Sequence, residues 1–194
     1  ETADAQSRIA AVDLALGDAG EAAGGWLTAI DLWRDVAAEH PGDPRPALRL
    51  AEARASLSRA LDPGAAGPAA EAALAPLKSA LDDYKTLADA YPDDPLIRRR
   101  RARAFQDQAD LLRRLGRSTE AVDSARSAVD LLTDPAWARP RDVGLRVAAS
   151  SAHGLLARLL SDRADGYRGA YEAINQAVTL LDATQEPARD SPRI

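Results

Sequence analysis

The chain has 194 residues, a net charge of -5, no Cys and no Met. The missing cysteines exclude disulfides, thiolate metal sites and cysteine nucleophiles, and the net negative charge removes any global electrostatic reason to approach nucleic acid or an anionic membrane. Hydrophobic residues make up 46% of the chain but aromatics only 4%, and the remainder is dominated by Ala and Leu, so closely packed helices are expected instead of a sheet. Met is absent even at position 1, which leads us to expect a processed or excised piece of a longer polypeptide.

In chain order, Pro and Gly punctuation predicts eight helices, over residues 3–16, 22–39, 45–61, 68–90, 96–115, 118–132, 141–161 and 167–183. Clear stops occur at HPGDPRP (40–46), DPGAAGP (62–68), YPDDP (91–95), LGRS (115–118) and TDPAWARP (133–140). Gly24 and Gly25 are expected to bend the second helix, and Pro76 to kink the fourth or delay its start. Residues 187–194 read as a frayed tail. No segment alternates apolar and polar residues as a half-buried strand would, and no apolar run reaches the roughly 18 residues of a membrane span.

Self-comparison adds an internal period. WRDVAAEHPGDP (33–44) aligns with YKTLADAYPDDP (84–95) at an offset of 51. The register continues through AIDLW (29–33), ALDDY (80–84), AVDLL (128–132) and AVTLL (177–181), which begin 51, 48 and 49 positions apart. At an offset of 99, Leu16 and Gly17 map onto Leu115 and Gly116, and Glu21 and Ala22 onto Glu120 and Ala121. The chain therefore reads as four diverged helical hairpins within residues 1–186, in units of about 1–43, 44–94, 95–139 and 140–186. A single hairpin cannot bury its apolar face, so such units stack.

LGRSTEAVDSARSAVDLL (115–132) resembles the second half of a tetratricopeptide repeat. Gly116, Ala121, Ala125 and Ala128 match the family's glycine and packing positions, Ala109 matches its small residue in the first helix, and Gly17, Ala22 and Ala29 match in the first unit. Trp26 and Ile174 stand where the family often has a large residue. Residues 33–61 and 84–132 are also similar to the divergent repeat arrays of large planctomycete-type bacterial serine/threonine kinases. The period of about 50 departs from the family's 34, and most first-helix aromatics are missing.

The resemblance implies an all-α solenoid of stacked antiparallel hairpins that acts as a non-catalytic protein–protein interaction scaffold. It also implies that polar residues of the first helices line a concave binding surface. In the third unit the matching residues are Arg103, Gln106, Asp110 and Arg113, whose spacing of 3, 4 and 3 places them on one helix face; Glu52 and Arg59 stand in register in the second unit. A mixed-charge groove of this kind suits a peptide or a partner helix. The alternative is a helical bundle that self-associates, as a homodimer for example, or binds a small ligand between hairpins. No cofactor, metal or nucleic acid is expected, and the compartment stays open.

Other candidates read more plainly as structure. The run Arg98, Arg99, Arg100 and Arg101 surrounds its helix and suits a solvated surface with local ion pairs. His40 sits at a helix end, and His153 has Ser150 and Ser151 nearby without the strained turn that a serine nucleophile uses. Glu120 and Asp123 suit a solvated face. Trp26, Trp33, Tyr84, Tyr91 and Trp137 recur near repeat junctions, where packing is expected.

Overall fold

The computed structural model describes residues 1–62, 64, 67–134 and 142–185, with side chains to 182. Its eight helices are α1 (Thr2–Leu16), α2 (Ala19–Glu39), α3 (Pro44–Leu61), α4 (Pro68–Ala90), α5 (Pro95–Arg114), α6 (Ser118–Thr133), α7 (Val143–Ser161) and α8 (Tyr167–Gln185). Local chemistry sets most of these boundaries. Asp43 caps α3 by accepting from the Arg45 amide, Asp94 caps α5 by accepting from Leu96 and Ile97, and Asp142 caps α7 through Leu145. Pro44 and Pro95 occupy first-turn positions whose amide has no helical partner anyway. Gly17 and Gly116 end their helices at φ 91° and 73°, a left-handed backbone that glycine adopts without a Cβ penalty.

Each helix packs chiefly on its neighbours in the chain, from α1 on α2 through to α7 on α8. The odd-numbered helices also touch one another, α1 with α3, α3 with α5, and α5 with α7. The result is a two-layer stack of antiparallel hairpins, an all-α helical repeat array, with the odd helices forming one continuous layer. There is accordingly no single central core. One apolar cluster joins α1 and α2 to Ala53, Leu57 and Ala60 of α3, while Ala51 and Ala55, on another side of α3, belong to a second cluster that runs on through α8.

Small residues make the close packing possible. Ala10, Ala22, Ala29, Ala109, Ala121, Ala125 and Ala128 are fully buried. A Cβ at Gly25 would lie 2.8 Å from the Ala10 Cβ, so this glycine sets how closely α2 approaches α1.

Pro76 does not delay the start of α4, since the helix begins at Pro68 and runs through residue 76. The carbonyl that Pro76 cannot engage belongs to Ala72, which is exposed and can turn to water, while buried Ala73, Leu74 and Leu77 hold the helix on both sides of the proline. The Arg98–Arg101 run pairs less locally than its sequence suggests. Arg98 pairs with Asp134 at 3.2 Å, Arg99 approaches Asp142 at 3.9 Å and Arg100 meets Glu52 at 2.8 Å. Arg101 lies over the Phe105 ring, 5.7 Å from its centroid. One basic turn thus touches α3, the end of α6 and the start of α7. Trp26, Trp33 and Tyr84 are buried as expected, Tyr91 is exposed, and Trp137 lies outside the described residues.

Candidate functional site

A concavity opens along the polar face of the odd helices. A cleft of about 300 Å³ opens between α1, α3 and α5, and a second of about 330 Å³ lies between α5 and α7. Arg103 and Asp107 line both, so the two are parts of one groove. Its residues recur at helical spacing: Asp4, Ser7, Arg8 and Ala11 on α1; Arg103, Gln106, Asp107 and Asp110 on α5; Ser151, Gly154, Leu155 and Arg158 on α7. Each set follows i, i+3, i+4, i+7, so each helix offers the same face to the groove.

Of the residues picked out by sequence, Glu52, Arg59 and Arg103 line the first part of the groove, and Arg103, Gln106 and Asp110 the second. Arg113 is not among the lining residues of either part; its guanidinium approaches Asp110 at 3.5 Å. Gln106 is buried, and its Nε2 has no hydrogen-bond partner. Spacing alone did not single out Arg49, Arg100, Asp107 and Arg158. Arg49 and Arg100 sit one helical turn before Glu52 and Arg103, so extending the same face by a turn would have found them.

The charges divide by depth. Glu52 is held by Arg49 at 2.9 Å and by Arg100 at 2.8 Å, and Asp107 by Arg103 at 3.1 Å with Arg59 at 3.9 Å. The side chains of these two acids are 19% and 16% exposed, against 49% to 62% for the four arginines. The carboxylates therefore form a floor and the guanidiniums a rim. Burial raises the Asp107 carboxyl above its usual range, and Arg103 and Arg59 offset this only in part. Burial likewise pushes the buried Tyr84 phenol well above its ordinary value, with Glu52 adding to the effect. Asp110 joins Arg158 of α7 at 2.8 Å and closes the far end. Arg8 is exposed and carries no ion pair among the described residues. Over its whole length the groove holds six arginines against four carboxylates, a local cationic excess on an acidic chain.

The serine and histidine of α7 do not pair with each other. The Ser150 hydroxyl donates to the Ala177 carbonyl at 2.9 Å, fastening α7 to α8, and the His153 Nδ1 is buried without a partner. Burial lowers the His153 pKa. Glu120 and Asp123 are paired with Arg117 and Arg126 on their own helix or its cap. Among the described residues no group of His, Asp and Glu is placed to hold a metal ion, and no helix is long and apolar enough to cross a membrane.

No protein-family model matches the sequence, and no curated protein matches it. Solved structures to which the chain is similar include two of MamA. One, MamA 41-end from Desulfovibrio magneticus RS-1, is 18% identical, covers 96% of this chain and 98% of that one, and superposes with a TM-score of 0.36. The other, a MamA RS-1 ArsTM double mutant, is 17% identical, with coverage of 95% and 97% and a TM-score of 0.37. The architecture rests on the chain's own packing and repeat register.

Proposed function

We propose that the chain is a non-catalytic protein–protein interaction scaffold whose odd-helix groove receives an acidic segment of a partner protein. The observation that carries this reading is the division of charge by depth. Glu52 and Asp107 already have their arginines, and the half-exposed heads of Arg49, Arg59, Arg100 and Arg103 keep donors directed at solvent. Guanidinium forks suit carboxylates, and a groove crossing four helices suits an extended peptide or the charged face of a helix. Of the residues expected from sequence, Glu52, Arg59, Arg103, Gln106 and Asp110 serve as lining in this reading, and Arg113 orients Asp110.

Titration with a labelled Asp/Glu-rich peptide tests it. Binding should weaken about tenfold or more when Arg49 and Arg103 are both changed to Glu, and should also weaken as salt rises. Equal binding of a Lys-rich peptide, or indifference to the double reversal, would remove the groove from consideration.

A further inference from the structure

The four rim arginines between α3 and α5 are gathered into two clusters. Arg49 and Arg100 converge on Glu52, at 2.9 and 2.8 Å, and Arg59 and Arg103 converge on Asp107, at 3.9 and 3.1 Å. Each cluster takes members from both helices: Glu52 on α3 receives an arginine of α5, and Asp107 on α5 receives an arginine of α3. With two guanidiniums around one carboxylate, each cluster keeps a single positive charge in excess. Arg100 and Arg103 approach their acids through Nε, so the Nη pair at the far end of each side chain remains for a ligand.

The two clusters also stand a fixed distance apart. Glu52 to Arg59 is seven residues on α3, Arg100 to Asp107 is seven on α5, and the pairs Glu52–Arg100 and Arg59–Asp107 tie the helices at both ends of that interval. The helices therefore run parallel here, and the clusters lie two turns apart along their seam, about 10 Å.

Two seats at this separation call for two carboxylates equally far apart on one side of a ligand. A polyproline II chain supplies them, since residues i and i+3 are one turn and about 9 Å apart and face the same way. A β-strand does not, because i and i+3 point to opposite faces and the same-face residues i+2 and i+4 stand at about 7 and 13 Å. A helix matches at i and i+7, but two turns of a cylinder about 10 Å across displace roughly 800 Å³. This part of the groove offers about 300 Å³, which admits the side chains of an extended chain and leaves a helix resting on the rim.

We infer, on the reading of the groove as the seat of an acidic segment, that the partner carries Asp or Glu at positions i and i+3 of a polyproline II segment lying along the α3/α5 seam. One carboxylate sits at the Glu52 cluster and the other at the Asp107 cluster. Because the two shielded acids gather their arginines in the free protein, both seats are built before the ligand arrives. A second acid at the right distance then binds as an intramolecular event, whereas a misplaced one adds charge without contact.

Fluorescence anisotropy on the unaltered 194-residue chain tests this, using labelled peptides of one length and composition whose two Asp residues stand at i,i+1 through i,i+7 in an otherwise uncharged sequence. Net charge is constant across the series, so electrostatic steering is constant and spacing alone varies. Affinity should peak at i,i+3, about tenfold above i,i+1. Arg100→Gln and Arg103→Gln, one in each cluster, should each flatten the profile to the level of a single-Asp peptide. Both side chains are half exposed or more, so circular dichroism should show unchanged helicity. If a variant unfolds, Asp→Asn at either acid of the i,i+3 peptide reads the same loss from the ligand side. A flat profile, with acidic peptides still bound more tightly than a Lys-rich one, overturns the two-seat arrangement and leaves the groove as the acidic segment's site. A peak at i,i+2 or i,i+4 overturns it in favour of a strand, and a peak at i,i+7 in favour of a helix. If no acidic peptide binds, the groove reading falls and the spacing rule with it.

Discussion

Glu52 on α3 and Arg100 on α5 meet at 2.8 Å across a junction between two hairpins, and Arg49 holds the other carboxylate oxygen at 2.9 Å. The carboxylate is thus both a strut between repeats and the acid that tempers the cationic rim. Glu52→Gln should therefore move two properties in opposite directions. Stability should fall by about 1 kcal/mol, a modest figure because both arginines are half exposed, and less at high salt. Affinity for an acidic peptide should rise, since two guanidiniums are released. Thermal melts at low and high salt, run beside peptide titrations, check the pair of effects; a fall in both would make Glu52 a direct ligand of the peptide.

Gly24 and Gly25 are neighbours on α2 with opposite roles. A Cβ at Gly25 would crowd Ala10 at its Cβ, 2.8 Å away, and at its Cα, 3.3 Å away, whereas a Cβ at Gly24 meets nothing within 4 Å. Gly25→Ala should destabilise by about 1–3 kcal/mol through overpacking. Gly24→Ala should be neutral or stabilise by up to about 1 kcal/mol through helix propensity. Chemical denaturation of the two variants gives the comparison, and equal effects would show that α1 and α2 can move apart freely.

The contrast also shows what the sequence disclosed. Helix starts were legible because Asp-Pro caps and Gly stops act locally, as at Asp43, Asp94 and Gly116. The groove face of α5 was legible because Arg103, Gln106 and Asp110 keep helical spacing. What is decided between elements was not legible. The two glycines look alike in sequence and differ only because Ala10 lies beneath one of them. Pro76 lies inside α4 one turn after Ala72, an exposed residue whose carbonyl loses its helical partner there. The partners of Arg98, Arg99 and Arg100 lie on three other parts of the chain, which the periodicity of one helix does not reveal.

Asp43 should titrate at about pH 2, below the usual 3.8, because its carboxylate accepts first from the Arg45 side chain and then from the Arg45 amide at the start of α3. Since folding lowers this pKa, the contribution to stability is fully present above the unfolded value and is lost as pH falls through about 2. Arg45→Ala should raise the midpoint toward the ordinary value while leaving the amide hydrogen bond in place. Carboxyl NMR titration of the two proteins reads the shift directly. An unchanged midpoint would assign the effect to the helix terminus alone.

Removal of the last hairpin tests whether the stack is held by neighbours or by closure. Among the described residues packing runs chiefly from each helix to the next, with further contacts between odd helices one hairpin apart, so residues 1–134 keep every junction up to α6. Their loss is confined to one face, where Val122, Val129 and Leu132 of α6 become uncovered, together with the pairs Arg158–Asp110 and Arg99–Asp142. In a linear array stability is a sum of repeat and interface terms, so the truncated chain should melt cooperatively at a lower temperature with its helicity per residue preserved. It should also be less soluble, since these buried apolar side chains of α6 then meet water. Circular dichroism and calorimetry on the fragment decide the matter: loss of cooperative melting would mean that α7 and α8 stabilise distant hairpins, which a stack of nearest neighbours does not allow.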